Sequence, residues 1–213
     1  MKLSQIAPIA LILLATGCAR SGDITAGGIT AVRTACPAVG VPAGTGDITL
    51  FNPASSVDAS ALDVSAVMTN VRSTCGDAAE AAEVVTTITF DVFAQRRDTA
   101  AARDVTLPYF ITVVNGGTAV VAKRLGHVSL HFEAGAARAQ TRGQATAIVN
   151  RAAATLPKDI RDEITRKRKP GDVDAAIDPL SQPNVRDAVL RASFEALVGF
   201  QLTEDQLKYN LTR

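Results

Sequence analysis

Apolar and polar residues alternate through much of the middle of this chain. Between Val84 and Ala94, the residues Val84, Ile88, Phe90, Val92 and Ala94 share one parity, and Thr87, Thr89 and Asp91 share the other. A period of two puts one face of a β-strand in a core and the other in solvent. Further candidate strands occupy Asp47 to Phe51, Leu62 to Cys75, which begins with alternation, Val105 to Val114, Thr118 to Lys123, His127 to Phe132 and Gln144 to Val149. Asn115-Gly116-Gly117 separates two β-branched runs, and Asn-Gly there predicts a hairpin because both residues tolerate positive φ. Pro108 lies inside one of these runs; it cannot donate to a ladder, so it predicts an edge or a bulge. Strands at roughly dozen-residue spacing predict a mainly β chain, a β-sandwich of the immunoglobulin or fibronectin kind. The Cys-Trp-Cys pattern of true immunoglobulin domains is absent, which leaves the topology open.

After residue 155 the pattern changes. Leu156 to Lys169 reads as a helix: Pro157 and Asp159 suit its start, Ile160 and Ile164 share a face, and Pro170-Gly171 stops it. Asp172 to Pro183 reads as an acidic loop. Asn184 is placed to cap a short helix over Val185 to Ala192. In Ser193 to Leu202 the residues Phe194, Ala196, Val198 and Phe200 alternate, as in a buried last strand. Thr203 with Gln206 three residues on forms a capping box before a C-terminal helix, Glu204 to Asn210.

Residues 19 to 45 are rich in Gly, Ala, Thr and Pro and read as a tether, partly ordered near Cys36. The folded domain would begin near residue 46. Before the tether, Met1 to Gly17 carries Lys2, an apolar stretch from Ile6 to Leu14, then small residues, the three parts of a secretory signal. The apolar run is about half of the roughly 20 residues that a membrane span needs.

Leu14-Ala15-Thr16-Gly17-Cys18 resembles the lipobox of bacterial lipoproteins, with Ala15 where that family usually has Leu. The resemblance implies cleavage before Cys18, a diacylglycerol on its thiol, and usually a further acyl group such as palmitate on the new amine. Two or three acyl chains hold a protein firmly on a membrane where one does not. Ala19, rather than Asp, follows the cysteine; in the family this favours the outer membrane, with the domain facing the periplasm. Ordinary signal cleavage, giving a soluble periplasmic protein, is the alternative. The segments Gly199 to Asn210 and Leu107-Pro108-Tyr109-Phe110 are similar to parts of a group of uncharacterised proteobacterial envelope lipoproteins, which implies a compartment and no chemistry.

Three cysteines occur among the 213 residues. With Cys18 assigned to lipid, Cys36 and Cys75 remain, and in an oxidising compartment they are expected to form a disulfide; two buried free thiols are the alternative. A formal net charge of +1 argues for neither a nucleic-acid partner nor an acidic one. Hydrophobic content is 47% but aromatics are only 4%, so the core is expected to be built of Ala and Val.

Candidate chemistry is sparse. His127 and His131 are the only histidines; on a strand they stand about 13 Å apart, too far to share a metal. No nucleophile elbow, zinc-protease motif or phosphate-binding glycine loop occurs. The basic run Arg161 to Lys169, which contains Arg166, Lys167, Arg168 and Lys169, reads as a solvated helix end, or as a contact for anionic headgroups or an acidic partner. The sequence therefore predicts no catalytic residue, cofactor or metal. It predicts a membrane-anchored, non-enzymatic structural or interaction module with an envelope partner, or alternatively a carrier of small ligands or lipids with a cavity between its sheets.

Overall fold

The alternation at Val84 to Ala94 belongs to a longer strand, β4 (Glu83–Arg96), whose even-numbered residues from Val84 to Arg96 are all buried. The structure is a computed structural model and describes residues 34–76, 78–169 and 171–212. Cys18 and the segment read as a signal lie outside the described residues.

Around β4 the chain builds two four-stranded sheets. In one, β2 (Asp47–Phe51), β3 (Leu62–Gly76), β4 and β7 (Arg138–Asn150) pair antiparallel in that order. In the other the order is β1 (Ala38–Gly40), β8 (Phe194–Phe200), β5 (Arg103–Asn115), β6 (Ala119–Phe132), with β1 parallel to β8 and the rest antiparallel. Three short helices follow or flank β8: α1 (Lys158–Thr165), α2 (Pro183–Arg191) and α3 (Glu204–Thr212). The chain is thus mainly β, as expected, with β1 contributed by the end of the span read as a tether.

The apolar faces of both sheets share one core, in which Phe90, Phe132, Phe200, Ile88, Leu107 and Leu130 are almost completely buried. Small residues let the few aromatic rings fit. A Cβ on Gly143 would lie 2.2 Å from the Phe90 ring, and one on Gly126 would lie 2.4 Å from Tyr109. The two rings meet edge to face at 5.1 Å, and the Tyr109 hydroxyl donates to the Gln144 carbonyl (2.7 Å).

Five local expectations change. Thr118–Lys123 and His127–Phe132 are one continuous strand, β6. In the hairpin before it, the positive φ values fall on Gly116 (60°) and Gly117 (79°). Asn115 stays in β5, and its amide donates to the carbonyls of Arg191 (2.8 Å) and Ser193 (3.1 Å). Pro108 is at neither an edge nor a bulge: β5 pairs with β6 and β8, and its irregularity falls at Val113/Val114. The Pro108 carbonyl accepts from the Gln201 amide (2.9 Å), just beyond the last β8 pair, Tyr109 with Phe200. A strand residue's N and C=O point to the same side, so the missing N–H faces the place where β8 has ended. Finally, α1 stops at Thr165 rather than Lys169. Arg166 is extended (φ −60°, ψ 125°), and both Arg166 and Arg168 reach Asp174. Four adjacent cations favour this spread arrangement over another helical turn. In α2, Pro183 occupies the first turn and Asn184 does not cap.

The sandwich has two distinct ends. At one, β4, β5, β6 and β7 are joined by the segments 97–102 and 133–137. Buried Arg96 ties these together: its guanidinium donates to the carbonyls of Ala101 (2.7 Å), Glu133 (2.8 Å) and Ala136 (2.9 Å) and lies 5.1 Å from the Phe132 ring centre. At the other end, Cys36 and Cys75 form the expected disulfide, with Cα atoms 6.1 Å apart. It clamps the residues leading into β1 to the end of β3.

Candidate functional site

Two depressions of ligand size are present, a more open one of about 580 Å³ across β2, β3 and β4 and a more enclosed one at the disulfide end. Between the sheets, beside Ile111, Val113 and Ala147, the gap is only about 30 Å³. At the disulfide end a groove of about 480 Å³ opens. This lies within the roughly 300–1,000 Å³ range of small-molecule sites.

Its construction follows from the chain's path. Phe194 opens β8, and Ala35 and Ala154 lie just outside β1 and β7; all three pack on the end of the main core and line the groove. One wall comes from α1 and the residues before it, through Leu156, Arg161 and Ile164. That wall is backed by a second small core of Ile160, Val185, Ala188 and Val189, against which Leu156 and Ile164 pack and which joins α1 to α2. The opposite side includes Cys36, so the disulfide is part of the wall. Glu195 enters because β8 turns its even residues inward and its odd ones outward; it pairs in register with Ala38 of β1 and Val114 of β5.

Besides Thr34, the polar side chains of the groove fall into two kinds. The hydroxyls of Thr155, Thr165 and Ser193 donate to the backbone carbonyls of Arg151 (2.7 Å), Arg161 (2.8 Å) and Val189 (2.7 Å). Among the described residues, the Arg161 guanidinium and the Glu195 carboxylate make no hydrogen bond or ion pair, with each other or with any neighbour. Arg161 opens the basic run noted in the sequence, whereas Glu195 does not stand out. Arg161 reads as one more helix charge, and Glu195 as the polar face of a strand; only the meeting of α1 with the start of β8 makes them a pair.

The residues singled out by sequence lie elsewhere. His127 and His131 are exposed on β6. His131 Nδ1 bonds Asp104 (2.7 Å), its cross-strand partner on β5, and Nε2 lies 3.5 Å from Glu133. The Asp104 hydrogen bond, reinforced by the charges of Asp104 and Glu133, holds the His131 pKa above its ordinary value. Near Arg96, Asp63 takes a two-pronged contact from Arg103 (2.7 Å each), which holds its carboxyl below the usual range. On the outer face of the β3–β4–β7 sheet, hydrogen bonds from Asn70 (2.7 Å) and Arg142 (3.1 Å) do the same for Asp91. These are exposed or partly exposed surface pairs. Among the described residues no group of three or more His, Cys, Asp or Glu is arranged to hold a metal, and no helix is long and apolar enough to cross a membrane.

No family model matches the chain, and no curated protein or solved structure matches it.

Proposed function

We propose that this chain is a lipid-anchored protein of the bacterial cell envelope, held through Cys18 at the outer membrane and facing the periplasm. There it acts as a non-enzymatic structural or interaction module. The observation that carries this reading is the Cys36–Cys75 disulfide. Disulfides persist in oxidising compartments, the destination that the lipobox-like segment implies. The bond also uses the two cysteines left once Cys18 is assigned to lipid. The sandwich is of the immunoglobulin or fibronectin kind in this reading. Its support is the path β4–β5–β6–β7, which crosses to the second sheet, makes a hairpin, and returns to lie beside β4, a Greek-key connection.

Crosslinking in intact cells tests the module role. A discrete crosslinked species of defined stoichiometry in the membrane fraction supports it, and a chain recovered only as a monomer contradicts it. A second reading, a carrier of small envelope ligands, is favoured by one specific observation, the groove beside the disulfide. The site moves from between the sheets to the end of the sandwich.

A further inference from the structure

The groove at the disulfide end has the chemistry of a receptor for a small zwitterion. Its floor and walls are largely apolar, through Ala35, Ala154, Leu156, Ile164 and Phe194. Its hydroxyls on Thr155, Thr165 and Ser193 are already turned to backbone carbonyls. The groove also carries two charges of opposite sign, exposed Arg161 on α1 and half-buried Glu195 on β8, which have no hydrogen-bond or ion-pair partner among the described residues. Charges this close to an apolar wall gain most from a partner that brings its own opposite charges and excludes water.

A molecule with one charge meets only half of this arrangement. A fatty acid would satisfy Arg161 and leave Glu195 without an opposite charge. A free peptide terminus pair satisfies both: the carboxylate accepts from the Arg161 guanidinium, which can donate two parallel hydrogen bonds, and the ammonium donates to Glu195. An apolar side chain between them would lie against Leu156, Ile164 and Phe194. We therefore infer that the groove formed by α1, the start of β8 and the disulfide-bonded residues before β1 binds a short peptide with free termini and an apolar side chain. Arg161 would read the carboxylate and Glu195 the amine. This deepens the carrier reading and rests on it; it is independent of the lipid anchor.

Specificity would come from the two ends together. Blocking either terminus removes one charge-assisted contact, and at half-buried Glu195 it leaves a carboxylate facing a neutral group, which costs more than the lost attraction alone. Selection by side chain would be weaker, because an apolar pocket discriminates modestly between similar hydrocarbons.

The test is isothermal titration of the detergent-extracted full-length chain with the dipeptide Ala-Leu, with N-acetyl-Ala-Leu, with Ala-Leu-amide and with decanoate. The dipeptide should bind saturably, and each blocked form about ten-fold or more weakly. Arg161→Gln should weaken the dipeptide by a similar factor while leaving Ala-Leu-amide unchanged. Glu195→Gln should do the converse, sparing N-acetyl-Ala-Leu. Arg161→Lys, which keeps the charge, should recover part of the affinity, and unchanged near-ultraviolet circular dichroism in each variant excludes misfolding as the cause. Failure of Ala-Leu to bind at about 10 mM, or equal affinity for free and blocked forms, overturns the inference. Binding of decanoate in place of the dipeptide also overturns it, but leaves the carrier reading standing; silence from all four ligands removes both.

Discussion

Arg96 is a charged residue in the last inward-facing position of a strand, where its burial must be offset. A guanidinium has five donors, and here three backbone carbonyls and an aromatic ring surround it. These carbonyls come from both segments that cross between the sheets, so one side chain fixes both crossings. Replacing it with Met keeps much of the volume and strands the carbonyls. Arg96→Met should cost about 2–4 kcal/mol, read as a lower urea midpoint at unchanged slope; a loss under about 1 kcal/mol would mean that water replaces the guanidinium freely. His131 works at the same scale but on the surface. Because its pKa is raised by Asp104, its contribution to stability is fully present below the ordinary histidine value and is lost as pH rises through the raised one. The wild-type chain should therefore lose stability relative to His131→Gln as pH rises from below the ordinary histidine value through the raised one, in parallel urea titrations. Equal changes in the two proteins would remove His131 from the account. The sequence marks both residues as polar, yet nothing local separates them. Arg96 continues the buried parity of β4 by one step into a run, Arg96-Arg97-Asp98, that reads as a solvent-facing connection.

At the scale of elements, legibility follows how local the cause is. Strand β4 is readable because each of its faces has a single environment. The capping box is readable because both partners lie within one turn: the Thr203 amide donates to Gln206 Oε1 (2.9 Å), and the Gln206 amide donates to Thr203 Oγ1 (3.2 Å). By contrast, the first half of β6 is exposed on both faces, so it carries no alternation to read and looks like a separate short strand. Helix α1 ends early because of ion pairs to Asp174, nine residues beyond Thr165, which no helical period announces. The disulfide is the element-scale feature with the largest expected effect. Its cysteines are 39 residues apart, and closing a loop of that length is worth about 4 kcal/mol on the chain-entropy model. Reduction, or a Cys36→Ser/Cys75→Ser double variant, should lower stability by about that amount. It should also loosen the end groove, seen as faster hydrogen exchange in residues 36–40 than at the Arg96 end. Uniform acceleration at both ends would show that the bond does not act locally.

Across the whole molecule the two ends divide the work. One end is closed by Arg96 and the short crossings. The other gathers the disulfide, α1, α2, the start of β8 and the groove, and it is also where the described chain begins, at Thr34. No stretch of sequence marks this end as a site, because its parts come from residues more than a hundred positions apart. The proposed compartment, in contrast, rests on a short local motif, Leu14 to Cys18. The most direct measurement is fractionation of cells expressing the wild-type chain and Cys18→Ser, combined with labelled palmitate. The wild-type chain should sediment with membranes and carry label, and Cys18→Ser should lose the label and leave the membrane fraction. A Cys18→Ser protein that stays on the membrane, or a wild-type protein that is soluble and unlabelled, would contradict the lipid anchor.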